Sequence, residues 1–449
     1  MPYELIHDTN ELKSRFDHEV PVIGFSCVWA RPSHSNAAGY RILAENLVRK
    51  GYQVIFFIGV DEIESTIPGL EAFEHVYAIP ESLFHEVDFI QILFVQNGRI
   101  KSVINQVPYP SNAYIVSHAH AFGLNPDESP LNYSYCVVNA DFYLVYQRRT
   151  LKKLRKSTDI FRRIIKRKNL TRNHPNFYFL PCSYPNLDNY LSKARQSSFE
   201  RDSILIVLRG LYAPNAKKFL EQDVPKIISL VRKKFTQYRI IIRPFPGEHD
   251  EVKKVLKHFI DGNDISIDTE KIAAKTYSRG RVLITTDSAC AESFSFSTKC
   301  PRIRCEISAI TSIFYKYQED GYGFKIYSMS YMEEVLNNSL IKTEEWEFKI
   351  RNYFGNEIIE AGRFSQVMEE YIERIISNKP SENWIKIDRE VSSYRKNYSL
   401  YNRIQDMTML ITHQVELIIQ KILLRVGVPR AIIPKLFLGP AANLNALMR

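Results

Sequence analysis

The stretch RVLITTDSACAESFSFSTKCPRI, residues 281–303, holds a complete strand–turn–helix–strand unit. An apolar run delivers Thr285, Thr286, Asp287 and Ser288 to its carboxyl end, a short helix carries Glu292 and Ser293, and a second strand starts at Pro301. Short apolar runs alternating with helical patterns specify βαβ units and a parallel sheet. Outward from this unit the same alternation recurs almost throughout. It predicts strands over 21–30, 52–59, 75–79, 89–95, 113–118 and 142–147, then over 203–208, 239–243, 265–268, 281–286 and 301–304. Two Rossmann-like sheets are expected, in an α/β chain.

At 449 residues the chain exceeds what one core organises, so two domains and an appendage are expected. The polar, proline-containing stretch 180–201 reads as a linker. It divides an amino-terminal unit, 1–197, from a second, 198–343. Beyond residue 344 helical signals replace strand signals, which makes 344–449 a helical extension with an amphipathic basic tail. No run of about 18 uncharged apolar residues occurs. The first 20 residues carry scattered acids and no apolar core, so a cytoplasmic location is expected. The six cysteines (27, 136, 182, 290, 300 and 305) form no CxxC pair and read as reduced, mostly buried thiols, with no structural metal expected.

Four stretches carry residue types suited to chemistry. WARPSHSNAAGYRILAEN, 29–46, runs from a strand through a polar loop with His34 into a helix, the place where open α/β sheets bind ligands. In YIVSHAHAFG, 114–123, an apolar strand runs into His118 and His120, and an imidazole there can serve as general base on an acceptor hydroxyl. A structural histidine is the rival reading, with His120 the better catalytic candidate. In YRIIIRPFPGEHDEV, 238–252, Arg243 stands at a strand mouth as a fixed charge suited to phosphate, with Glu248 and His249 beyond the prolines. A plain ion pair of Arg243 with Glu248 or Asp250 is the alternative. The turn at 285–292 supplies Thr286, Asp287, Ser288 and Glu292 for phosphate and ribose. With Arg209, Arg243, Glu248 and His249 these make the candidate donor set, and no metal or other cofactor is called for.

The net charge of +10 is concentrated: residues 148–172 hold 12 Lys and Arg against Asp159 alone, and the remainder sums to about −1. Leu151, Leu154, Phe161, Ile164 and Ile165 fall near helical spacing, so this segment reads as a basic amphipathic helix lying in an anionic lipid interface. Its membrane-facing cations are Arg148, Arg149, Lys152, Lys153, Arg162, Arg163, Lys166 and Arg167. Nucleic acid is the competing partner, but the segment lacks an RNA-module signature. The stripe Ile404, Met407, Ile411, Val415, Ile418 and Ile422 repeats the theme in the tail, where packing on the protein or on a second copy, as a homodimer, is the alternative.

The ordered motifs resemble the CDP-glycerol glycerophosphotransferase and capsule-transferase group of GT-B enzymes over about residues 110–305. The matching positions are Ser183-Tyr184-Pro185 with Asp188, Arg243-Pro244-Phe245-Pro246, Thr286-Asp287-Ser288-Ala289 with Glu292, and Cys300-Pro301. In the first half His120 to Gly123 is similar to the family's His-Gly turn, and 140–145 to its Ala-Asp-Tyr strand. The resemblance implies a GT-B fold and a transferase acting without metal. Its donor would be CMP-, CDP- or UDP-linked and its acceptor a lipid-linked envelope glycan on the inner face of the cell membrane, where the protein is peripheral. Phe245 departs from the pattern, since the family has histidine there; His249 is its possible substitute. That departure keeps two other readings open, an inactive membrane-docked GT-B scaffold and a sugar-nucleotide epimerase of the same fold.

Overall fold

The computed structural model describes residues 3–27, 33–64, 66–67, 69–97, 109–119, 139–158, 161, 172, 174–187, 201–212, 215–245, 247–260, 264–270, 276–286, 295, 298–307 and 316–389. The first sheet contains β1 (Glu4–Leu5), β2 (Val22–Ser26), β3 (Gln53–Ile58), β4 (Val76–Ala78), β5 (Ile92–Asn97), β6 (Tyr114–Ala119), β7 (Phe142–Val145), β8 (Asn176–Pro181) and β16 (Ile385–Asp388). Their order is 1-4-3-2-5-6-7-8-16, parallel throughout except for β16 on β8. VIGFS is buried at every position and QVIFFI at all but the first, as strands covered by helices on both faces must be.

The second sheet contains β9 (Ser203–Val207), β10 (Arg239–Arg243), β11 (Ile265–Ile267), β12 (Gly280–Thr285), β13 (Arg302–Cys305), β14 (Tyr317–Asp320) and β15 (Gly323–Ile326), in the order 11-10-9-12-13-15-14. Only β14 runs antiparallel, as a hairpin on β15. In both sheets the central strands follow the doubly wound pattern, all parallel, with the strand order reversing between β2 and β5 and between β9 and β12. Ligands bind such sheets outside the carboxyl ends of these strand pairs.

The longer α-helices among the described residues are α1 (Thr9–Ser14), α2 (Ser33–Arg49), α3 (Arg148–Lys156), α4 (Val224–Lys234), α5 (His249–Val255), α6 (Met332–Ile341), α7 (Thr343–Glu357) and α8 (Phe364–Ile376). Trp346, Ile350 and Phe354 of α7 are buried with the second sheet. After Ile358, which bridges Gln147, the chain returns to the first half. Phe364, Met368, Tyr371, Ile372 and Ile375 of α8 join the cluster that holds Leu43 and Leu47 of α2. Asn46 donates to Glu369 at 2.5 Å, Lys50 bridges Glu369 and Glu373 at 3.0 Å each, and Tyr371 donates to the Pro181 carbonyl at 2.9 Å.

Three expectations change. The linker stretch begins inside β8, and Tyr184 and Leu187 are buried with the second sheet's core, so the first residues of this crossing segment are packed; 188–200 lie outside the described residues. The strand signals do not end before 344, because β16 closes the edge of the first sheet. Three residues of the basic segment's apolar stripe are internal: Leu154 and Phe161 are completely buried with the first sheet and Leu151 packs against the same cluster. The stripe's helical period there reports packing on protein; Ile164 and Ile165 lie outside the described residues. Cys27, Cys182, Cys300 and Cys305 are buried free thiols, and burial pushes Cys300 up to about 12.

Candidate functional site

At the carboxyl end of the first sheet, α2 follows β2 and starts at Ser33, placing His34 in its first turn. His118 lies in β6, 2% exposed, with Nε2 hydrogen-bonded to the Tyr40 hydroxyl of α2. The Tyr40 and Tyr184 rings meet it edge-on, with centroids at 5.5 and 6.2 Å. This is the environment of a positioned, satisfied imidazole. His120, the preferred base, lies outside the described residues, and so does the Gly123 turn. Tyr40 carried no sequence signal beyond its place on a helix. Burial pushes its phenol well above the ordinary value, so it enters the pair protonated.

Gly39 brings the helix against the crossing segment. A Cβ there would sit 2.5 Å from Asn186 Oδ1, a buried atom with no partner among the described residues. Asn186 Nδ2 in turn reaches the Tyr184 hydroxyl at 3.5 Å. The start of α2, the end of β6 and the crossing segment thus share one buried polar contact region.

In the second sheet Arg243 ends β10, as expected, but its partner is Asp268, just beyond β11, in place of Glu248 or Asp250. Nη1 also donates to the Glu270 carbonyl at 3.1 Å and to Thr276 Oγ1 at 3.4 Å, and Thr276 donates to Asp268 at 2.7 Å. His249 Nε2 lies 3.1 Å from the Asp268 carbonyl. Arg243 and His249 are therefore both anchored to the β11 terminus. Asp268 was legible as the last residue of an expected strand, and it was missed as a site residue.

Glu248 fastens two loops at the switch point: Oε1 accepts from the Leu211 amide at 2.8 Å, while Oε2 is buried without a partner among the described residues. The loop after β9 carries Arg209 and then Tyr212, whose ring is 74% exposed and meets Phe245 edge-on at 5.7 Å. Gly210 permits that fold-back, because a Cβ there would stand 2.3 Å from the Tyr212 ring. Beside this loop β12 ends at Thr285, paired in register with Val207 of β9. Thr285 is 1% exposed, and its Oγ1 has no partner among the described residues. A buried hydroxyl is costly to leave unpaired, and this one stands at a strand terminus beside the switch point. Thr286 follows, half-buried; Asp287, Ser288 and Glu292 lie outside the described residues.

Of the basic segment, Arg148, Arg149, Lys152 and Lys153 lie on α3, where Arg149 approaches Glu357 at 3.7 Å. Arg162, Arg163, Lys166 and Arg167 lie outside the described residues. Arg172 is internal: it and Arg389 both pair with the fully buried Asp141, at 2.9 and 3.0 Å, at the amino-terminal edge of the first sheet. Among the described residues no group of three or more His, Cys, Asp or Glu could hold a metal ion, and no helix is long and apolar enough to cross a membrane.

Two doubly wound sheets, with the chain returning from the second to close the first, define a GT-B-like fold. The solved structures it is similar to have that architecture. They include a UDP-N-acetylglucosamine 2-epimerase assignment from Listeria monocytogenes (12% identity, 81% of this chain and 99% of that one, TM-score 0.52). The wall teichoic acid polymerase TagF is another (14% identity, 82% and 92%, TM-score 0.50). A third is the UDP-GlcNAc 2-epimerase of Neisseria meningitidis bound to UDP-GlcNAc (11% identity, 79% and 99%, TM-score 0.50). No family model and no curated protein matches the chain.

Proposed function

We propose that this chain is a GT-B transferase that moves a glycosyl or glycerol-phosphate group from a CMP-, CDP- or UDP-linked donor onto a lipid-linked envelope glycan. The observation that carries the reading is the β9/β12 switch point, where the buried Thr285 hydroxyl, without a partner among the described residues, stands next to Thr286 and the Glu248-fastened loop bearing Arg209. Donor binds over unit 198–343 and acceptor over unit 1–197, with Asp287, Ser288 and Glu292 completing the donor turn. Helix N-termini and cations stabilise the leaving phosphate, and His120 accepts the acceptor proton. Arg243 and His249, held by Asp268, shape the donor loop. The cations of α3 draw the protein to the anionic inner face of the membrane.

The second reading is sugar-nucleotide epimerisation, which the similarity to two epimerase structures favours. A thermal-shift panel of CMP, CDP, UDP, GDP and ADP tests both. A ligand at about 100 times its dissociation constant adds about 2.7 kcal/mol, so a responding pyrimidine nucleotide is expected. No response to any of them would remove the donor site. Product analysis then separates the two enzymes: release of free nucleotide only with an acceptor present marks transfer, and an isomerised sugar nucleotide without acceptor marks epimerisation.

A further inference from the structure

Two aromatic rings meet where the loops after β9 and β10 come together, at the carboxyl edge of the second sheet. Register puts them there. Val207 of β9 pairs with Arg243 of β10 on one side and with Thr285 of β12 on the other. The Leu208 amide extends the pairing, donating to the Arg243 carbonyl at 2.9 Å. Phe245 lies just beyond Arg243 on one loop, and Tyr212 lies beyond Leu208 on the other.

Both rings are held in place by their own loops. Phe245 heads a closed turn: the Glu248 amide donates to its carbonyl at 3.1 Å, and Gly247 supplies the left-handed conformation the turn needs, at φ 87°. On the other loop Leu211 packs against the second sheet's core and its amide donates to Glu248 Oε1 at 2.8 Å, so the residue before Tyr212 is fixed. Tyr212 itself stands 74% exposed beside the half-buried Phe245, their centroids 5.7 Å apart and their planes at 84°. An edge-to-face pair occupies one face of one ring with the edge of the other and leaves the remaining ring surface open. Rings anchored on the chain side and wetted on the other offer apolar area that a flat group covers with little ordering left to do.

We infer that Tyr212 and Phe245 form a stacking platform for the base of the pyrimidine nucleotide donor. The platform rests on the donor reading above and adds to it the residues that hold the base. With neighbouring strands about 4.8 Å apart, the ends of β10 and β12 flank β9 on the order of 10 Å from each other. A nucleotide spans such a gap, its base on the rings and its phosphates toward Thr285 and Thr286. Phe245 brings neither charge nor hydrogen bond, which suits the face of a base and not a phosphate.

Calorimetry on the full chain with CMP, CDP and UDP tests it. For whichever of the three binds the parent, Tyr212→Ala should lower affinity about 5- to 100-fold, with the circular dichroism unchanged because the ring is exposed. Tyr212→Phe keeps the ring and should bind as the parent does. Phe245→Leu keeps the bulk, removes the aromatic face and should also lose affinity. In Tyr212→Trp a stacked base should quench the emission that the new indole adds to that of the three native tryptophans. Parental affinity in both Tyr212→Ala and Phe245→Leu would overturn the platform and leave the donor site standing. Equal losses in Tyr212→Phe and Tyr212→Ala would assign the contact to the hydroxyl, which overturns the platform as well. Failure of the parent to bind any of the three would remove the donor reading and the platform together.

Discussion

The Tyr40 hydroxyl is hydrogen-bonded to His118 Nε2, joining the helix that follows β2 to the end of β6 across a buried contact. Tyr40→Phe keeps the ring and deletes that bond. It should cost about 1–3 kcal/mol in urea denaturation with an unchanged slope. A neutral result would show that the contact adds nothing to the fold.

His120→Ala should lower turnover by about 100- to 10,000-fold while nucleotide binding stays near its original strength, because a base in the first unit acts on the acceptor. Activity within a few-fold of the parent would move the base elsewhere. His34, in the first turn of α2, is then the next residue to replace.

Thr285→Val is close to isosteric and removes a buried hydroxyl with no partner among the described residues. Apo stability should hold or rise slightly, while affinity for the responding nucleotide should fall about tenfold to a hundredfold. Calorimetry gives both arms. Unchanged affinity would exclude this oxygen from the donor site.

Burial holds the His174 imidazole below its ordinary value, against the pull of Asp141 3.9 Å away. The unfolded chain therefore takes up a proton at higher pH than the folded one. This contribution to stability is complete above the ordinary histidine value and is lost as pH falls through it. His75, shifted the same way by burial, adds to the slope. His174→Phe preserves the stack on Tyr114, whose ring centroid lies 4.2 Å away. It should flatten the stability profile between about pH 7 and about pH 5 relative to the parent. An identical slope would clear His174.

Charge reversal of Lys152, Lys153, Arg162 and Arg163 to glutamate should abolish sedimentation with anionic liposomes. Since Leu154 and Phe161 are internal, parental binding should be almost fully salt-labile, screened beyond about 8 Å at physiological ionic strength. A substantial salt-resistant fraction would require another apolar contact.

Both sheets were legible because their central strands are uninterrupted apolar runs, such as QVIFFI and RIIIR, bounded by polar turns. The strand NFYFLP was half lost to the prolines that follow it, and IKID is four residues long with every second one exposed. Periodicity located the apolar face of α3 but carried no information on what covers it. At the site, strand termini could be read, which placed Arg243 and Thr286. Tertiary pairings could not: nothing local to Arg243 selects Asp268 over Glu248, and Arg172 looks like one more surface cation until Asp141 is seen to bury it.

The return of the chain through α8 and β16 sets an order on biosynthesis. The first sheet's outer edge and the helix over α2 are supplied only after the whole second sheet has been translated. Emerging amino-terminal strands must therefore wait, with β8 presenting an open edge and the α2 face uncovered, until residues 364–388 leave the ribosome. Truncation before Phe364 should thus yield an aggregating amino-terminal half, even though every residue of its central strands is present.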